Sequence, residues 1–351
     1  HADDRDGPHD ERLGICPEPE GAEQSSIAAP GRGPVGARPG PTRGITADGR
    51  LVSGRLKGLT IWAAIWTLSW PILVESLLNS LVGLTDTVLS ASIDDGGAST
   101  DAIGGAAYIM WFVGLIGQAI GVGATALISR AVGAGKFGLA NTALGQTMTL
   151  AFISGIFVAA GMIAVIEPLT TILSLNEAAE PFRSYLFINA LGVPFGAVLL
   201  SGNACARGAG DSIGPLKAMI AVNLVNVVAS WVLAGVDLQS ARIENGEAIT
   251  RTVLANPFPF DYGVAGIALG TVLSHFVGAL FILGLLGRGV DQVKLRLKRL
   301  KPHWHTARRV VRVGLPNFFE MLGMWIGNFA IVLMVGWMGA QDGGMLGSHF
   351  I

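Results

Sequence analysis

The stretch Ser69–Ala91, "SWPILVESLLNSLVGLTDTVLSA", is a long apolar run that keeps three polar side chains in its interior, Glu75, Asn79 and Asp86. An ionisable group near the middle of a bilayer costs about 2.5 to 3.5 kcal/mol, so such groups usually face a bundle interior or a wet cavity. In a helix these three residues share one face, because eleven residues bring Asp86 within about 20° of Glu75. The stretch therefore predicts a membrane-spanning helix with a polar face turned toward an interior.

The whole chain has the composition of a membrane protein. Of its 351 residues, 51% are hydrophobic and only 14% are charged, and the mean hydropathy is +0.54. These values are too apolar for an ordinary soluble domain. The net charge of −1 gives no support for nucleic-acid binding. Cys16 lies in a polar tail and Cys205 in an apolar run, so no disulfide framework is expected.

Long segments free of Lys and Arg predict an all-α polytopic membrane protein, since each has about the 20 residues that a spanning helix needs. The predicted spans are Ile61–Ala91, Ala102–Ser129, Leu139–Ile166, Ser184–Ala206, Ala218–Val236, Gly263–Gly287 and Val313–Trp337. Their glycine and proline content is common in membrane helices.

The charges of the connections alternate along the chain and predict the orientation. Alternate connections carry 15 Lys and Arg residues, whereas the intervening ones carry 3 and are rich in Asp and Glu. Because basic loops stay cytoplasmic, we expect a cytoplasmic N-terminus and a multi-pass protein of the cell membrane, the inner membrane if the source is bacterial.

Four regions are predicted from these patterns. Residues 1–55 are rich in Gly, Pro and charge and are expected to be a disordered tail. Residues 56–287 form a six-helix lobe, and residues 288–312 form a basic cytoplasmic linker, interpreted as lying on anionic headgroups. Residues 313–351 begin a second lobe, because Pro316 and Glu320 repeat the spacing of Pro71 and Glu75. The remaining helices of that lobe are expected beyond the end of the chain.

Several motifs resemble the multidrug and toxic compound extrusion (MATE) family of transporters. They are "WPILVESLLNSLVGLTDTVLSA" (70–91), "GVGATALISRAVGAG" (121–135), "GVPFGAVLLSGNACARGAGDSIGPLKAMI" (192–220), "GVAGIALGTVLS" (263–274) and "GLP" (314–316). The resemblance implies a MATE-like bundle of twelve helices in two lobes that form a V around a central cavity. Seven of the twelve would lie in this chain.

The candidate site residues are polar side chains within the predicted spans. They are Glu75, Asn79, Asp86, Asn223, Asn226, Ser230 and Glu320, with Pro71 as a hinge. The resemblance implies that Asp86 takes part in cation coupling, and it places on the fifth helix an Asn followed four residues later by Asn or Asp. Those positions are Asn226 and Ser230 here, and the serine departs from the pattern.

The polar residues also have structural interpretations. Glu75 could be a hydrogen-bonded acid between helices, Asp86 an interfacial carboxylate, and the amides could only join helices. Pro71 cannot donate to the carbonyl of Thr67, so a kink is expected there. Two histidines, His303 and His305, are too few for a metal site, and no metal or organic cofactor is predicted.

The leading hypothesis is a secondary antiporter in the lipid bilayer. Entry of a proton or a sodium ion at Glu75 and Asp86 would drive release of an amphipathic, often cationic, organic substrate. A lipid-linked precursor flippase of the same broader superfamily is an alternative, but the predicted spans contain no Lys or Arg to hold pyrophosphate. An intramembrane enzyme is a further alternative. It is disfavoured because Glu75 and Asp86 lie about 16 Å apart along one helix.

Overall fold

The structure of the protein is a computed structural model that describes residues 46, 48–50, 58–93, 97–173, 175–244, 247–301 and 303–342. Nearly all of the predicted tail, residues 1–55, lies outside the described residues, as do residues 343–351. The prediction of a disordered tail therefore stays a prediction.

Long helices dominate the described part of the chain and confirm the predicted all-α fold class. They are α1 (Ile61–Ser90), α2 (Ala98–Gly133), α3 (Phe137–Ile172), α4 (Ala179–Gly208), α5 (Ile213–Ala234), α6 (Gly263–Arg288) and α7 (Trp304–Asp342). Helices α1 to α6 are each long and apolar enough to cross a membrane. Helix α7 begins at Trp304, earlier than the predicted span at Val313, so the described linker between α6 and α7 is shorter than expected.

A two-stranded antiparallel hairpin between α5 and α6 was not predicted. Its strands are β1 (Leu238–Glu244) and β2 (Glu247–Leu254). After the hairpin, Asn256 ties the chain back to α5, because its side-chain amide donates to the carbonyl oxygen of Trp231 over 2.9 Å. The connection between α5 and α6 is therefore folded.

The helices pack into one bundle in which α4 contacts α2, α3 and α6, while α5 packs along α6. Helix α1 packs chiefly against α5. The buried apolar side chains form two clusters, one around Leu144 and Leu286 and the other around Phe182 and Ile267. The polar residues of the site therefore lie within a lobe whose helices are held by apolar packing.

Helix α7 packs closely against α2 through glycines. A Cβ at Gly123 would collide with the carbonyl oxygen of Val310, and a Cβ at Gly314 would collide with that of Ala119. Farther along, the Trp325 indole N–H donates to a backbone carbonyl of α2 over 2.8 Å. Small residues allow this close backbone approach between membrane helices, so α7 is attached to the lobe over much of its length.

Candidate functional site

Asp86 is the buried centre of the site. Its side chain belongs to α1, and the residue is only 3% exposed. The Tyr185 hydroxyl of α4 donates to Oδ2 over 2.7 Å. The Thr271 hydroxyl of α6 lies 3.2 Å from Oδ2 and 3.4 Å from Oδ1. Three helices therefore converge on one carboxylate.

The predicted α5 pair, Asn226 and Ser230, lies beside these groups. The Asn226 amide donates to Thr271 Oγ1 over 3.0 Å and to Ser230 Oγ over 3.4 Å. The Ser230 hydroxyl donates to the carbonyl oxygen of Ile267 over 3.2 Å. A Cβ at Gly270 would collide with Ser230, so the glycine is what allows α6 to approach α5 here. Asp86, Tyr185, Asn226, Ser230 and Thr271 are called the Asp86 cluster below.

The Asp86 cluster contains a carboxyl group without a cationic partner among the described residues, and it has an unused acceptor. The hydrogen-bonding partners of Asp86 among the described residues are the neutral hydroxyls of Tyr185 and Thr271. Asn226 Oδ1 is buried and has no hydrogen-bond partner among the residues that the structure describes. Unpaired buried acceptors are costly and often mark the place of an ion or a water. Carboxylate, hydroxyl and amide oxygens together suit a proton or a small hard cation.

The second predicted acid, Glu75, is in an ion pair. Arg207 Nη1 lies 2.7 Å from Glu75 Oε1 and 2.8 Å from Oε2. The Asn203 amide donates to Oε1 over 3.3 Å. Both partners belong to α4, and we call Glu75, Asn203 and Arg207 the Glu75 cluster. Its acid already has a cationic partner, which Asp86 does not have among the described residues.

The structure corrects the sequence analysis at Arg207. The predicted fourth span ended at Ala206, and Arg207 was assigned to a cytoplasmic connection. Helix α4 instead continues to Gly208, and the Arg207 side chain turns toward α1, where it is 24% exposed. The spacing of Asn203 and Arg207, four residues apart on one helix face, is a signal that could have indicated this.

The other predicted site residues are not hydrogen-bonded to the Asp86 cluster in the described part of the chain. Asn79 and Glu320 are exposed. Asn223 is buried, but its amide donates to the Met219 carbonyl of its own helix. Pro71 is buried within α1, which continues on both sides of it, so its role as a hinge stays a prediction.

The two clusters together attach α1 to α4. The first attachment is Tyr185 to Asp86, and the second is Arg207 with Asn203 to Glu75. In the described part of the chain, α1 has no extensive backbone packing against α4. The polar side chains of the two clusters therefore connect two helices whose backbones are not in close contact.

Comparison with known proteins gives a consistent family assignment. Residues 71–232 match the family model described as MatE. The chain is 22% identical over 281 residues to the uncharacterized transporter YisQ of Bacillus subtilis, covering 79% of this chain and 57% of that protein. It is 24% identical over 292 residues to a probable multidrug resistance protein, NorM, of Thermotoga maritima, covering 80% of this chain and 56% of that protein. The chain thus spans less than two thirds of the length of these relatives.

Solved structures show the same fold. An inward-facing structure of a multidrug resistance MATE family transporter of the MOP superfamily has a TM-score of 0.62 and 24% identity, and covers 81% of this chain and 58% of that one. An outward-facing structure of a multidrug resistance MATE family transporter of the MOP superfamily has a TM-score of 0.64 and 23% identity. The match covers 78% of this chain and 56% of that one. The named relatives are transporters, in agreement with the prediction that the chain is not an enzyme.

Proposed function

We propose that the chain belongs to the MATE family, whose model it matches over residues 71–232, and that the whole protein is a secondary active efflux transporter. It exchanges a proton or a sodium ion for amphipathic organic compounds, often cationic drugs or metabolites. The observation that carries this proposal is the Asp86 cluster, a buried carboxylate without a cationic partner among the described residues.

The geometry supports a role for Asp86 in binding the coupling ion. A proton on Oδ2 would make that oxygen a donor and a weaker acceptor, so the hydrogen bond from Tyr185 would weaken or reverse. A sodium ion would instead recruit the carboxylate together with the free Asn226 Oδ1. Either ion changes the attachment of α1 to α4.

We assign the two acids different roles. Asp86 binds the ion, because it lacks a cationic partner among the described residues. Glu75 fixes α1 to α4, because Arg207 already neutralises it. Asn226, Ser230 and Thr271 position the oxygens around the ion. Because Ser230 stands where the resemblance implies Asn or Asp, the Asp86 cluster has a single carboxylate. A single negative charge matches a monovalent ion.

The flippase alternative gains no support from the site. The Arg207 side chain reaches from α4 toward the interior, but it is already paired with Glu75, with 2.7 Å between Nη1 and Oε1. A pyrophosphate group would need cationic donors that are not already paired.

We also propose the orientation and location. In this proposal the N-terminus lies in the cytoplasm of a bacterial cell and the helices cross its inner membrane, and the basic connections support this orientation. The lipid bilayer and a small organic molecule are the proposed partners.

The experiment uses the full-length protein in proteoliposomes loaded with ethidium, with an imposed proton or sodium gradient. Asp86→Asn should abolish gradient-driven efflux, because the charge that the ion recognises is lost. Glu167→Gln is the matched control, since Glu167 is an exposed helical acid paired with Arg183 at 2.9 Å. Full gradient-driven efflux by Asp86→Asn would refute the proposed role of Asp86. The gradient that supports wild-type efflux identifies the ion.

A further inference from the structure

The connection between α6 and α7 follows a fixed path along α3. The Gln146 side-chain amide donates to the carbonyl oxygens of Arg299 over 2.9 Å and Lys301 over 2.7 Å. Gln146 Oε1 accepts from the backbone N–H of His303 over 2.6 Å. One side chain of α3 therefore holds three backbone groups of the linker.

Neighbouring positions of α3 hold the same segment. The Thr149 hydroxyl donates to the carbonyl oxygen of Leu300 over 2.8 Å, and Asn141 Oδ1 accepts from the backbone N–H of Lys294 over 2.7 Å. A Cβ at Gly145 would lie 2.5 Å from the carbonyl oxygen of Arg299. The linker is thus bound through its backbone, which leaves most of its side chains free to point outward.

The length of α3 places this segment at the level of the lipid headgroups. Helix α3 has 36 residues and is therefore about 54 Å long, whereas the hydrocarbon core is about 30 Å thick. A centred helix would extend about 12 Å beyond the core at each end. Gln146 lies nine residues after Phe137, about 14 Å from the helix start. The linker bound to it accordingly lies beside α3 near the edge of the core.

The outward side chains combine positive charge with apolar groups. Leu297 is 83% exposed and Trp304 is 79% exposed. The exposed cationic side chains around them are Arg288, Lys294, Arg296, Lys298, Lys301, Arg308, Arg309 and Arg312. Asp291 is the acidic residue between positions 288 and 312. We call the exposed side chains of Arg296, Leu297, Lys298, Lys301 and Trp304 the linker surface.

We propose that the linker surface binds anionic phospholipid headgroups of the inner leaflet. Cationic side chains next to a bilayer attract anionic lipid, and Trp is enriched at this depth because its ring is amphipathic. Leu297 would enter the boundary between headgroups and acyl chains, as apolar residues of interfacial segments do. A soluble nucleic acid or acidic protein would use the same charges but would leave Leu297 and Trp304 in water.

The test places a fluorescent reporter on the linker surface of the full-length protein. Leu297→Cys is made together with Cys16→Ser and with serine in place of any accessible cysteine outside the given sequence, while Cys205 is buried and does not compete for the reagent. The protein carries a polarity-sensitive dye at position 297 and is reconstituted in nanodiscs of phosphatidylcholine, with or without phosphatidylglycerol. We expect phosphatidylglycerol to shift the emission to the blue and to protect the dye from acrylamide. Inorganic phosphate added to phosphatidylcholine discs should do neither.

Charge variants decide the result. Replacing Arg296, Lys298 and Lys301 with Gln should weaken the response to phosphatidylglycerol about a hundredfold in lipid titration, given the usual contribution of one cation near a membrane surface. The matched control replaces Arg130 and Lys136, which are also exposed and on the same predicted side, and should leave the response intact. The proposal is overturned if emission is equal in both lipids, if the triple variant responds like the parent, or if soluble phosphate reproduces the shift.

Discussion

Replacing Arg207 with Gln should destabilise the lobe, because it leaves the Glu75 carboxylate buried without its cation. Breaking a fully buried ion pair costs about 3 to 5 kcal/mol. The Glu75 side chain is 11% exposed and the Arg207 side chain is 24% exposed, so water recovers part of this cost and we expect about 2 to 3 kcal/mol. At about 2 °C per kcal/mol for a chain of this size, thermal unfolding in detergent should shift down by roughly 5 °C.

The partner variants separate pairing from other effects. Glu75→Gln should cost less, about 1 kcal/mol, because the long Arg207 side chain can still reach water or headgroups. The double variant should be more stable than Arg207→Gln alone, since it leaves no buried unpaired charge. Arg183→Gln, which breaks an exposed pair with Glu167, should leave the unfolding temperature unchanged. An Arg207→Gln protein as stable as its parent, or a double variant no more stable than Arg207→Gln, would refute this reasoning.

Three further predictions concern other parts of the molecule. Tyr185→Phe removes a hydroxyl that donates to the site carboxylate; we expect weaker gradient-driven ethidium efflux with a loss of about 1 kcal/mol in stability, and unchanged efflux would contradict a role in coupling. Gly314→Ala introduces a collision with α2 and should cost about 1 to 3 kcal/mol in thermal unfolding, whereas Gly323→Ala, with open space around it, should be neutral or slightly stabilising. A cysteine at position 180 in place of Glu180 should react with an impermeant thiol reagent in intact cells, whereas one in place of Lys136 should not; the reverse pattern would overturn the orientation.

The sequence was sufficient to predict the helices and part of the site. Runs without Lys and Arg located the helices, because a bilayer excludes charge from every lipid-facing position. The separation of eleven residues between Glu75 and Asp86 placed both on a buried side of α1, and both are buried. The prediction that Asn79 also faces an interior was wrong, because Asn79 is exposed. Helical periodicity shows which residues share a face, but it does not show what packs against that face.

The missed partners share a physical reason. Tyr185 and Thr271 are neutral hydroxyl residues that are common in any span, so only the fold shows that they meet Asp86. Arg207 lies at the end of a span, where a basic residue ordinarily indicates topology. The hairpin had a local signal, since Asn245 and Gly246 form a common hairpin-turn pair and precede a segment rich in β-branched residues. A search for long apolar segments does not detect this signal.

The polar attachment of α1 to α4 has a consequence for how the lobe can change shape. Apolar contacts in the interior of the lobe can be replaced by lipid chains only after whole helix surfaces have separated. Each of the two attachments can be exchanged separately for bonds to water or to an arriving ion, at a net cost of about 0.5 to 1.5 kcal/mol for a neutral hydrogen bond and about 1.5 to 3 kcal/mol for one to a charged group. Glu75 and Asp86 lie about 16 Å apart on the helix, so one bridge can be released while the other persists. The contact between α1 and α4 can thus open in two separate steps, while the apolar core around Leu144 and Phe182 remains packed.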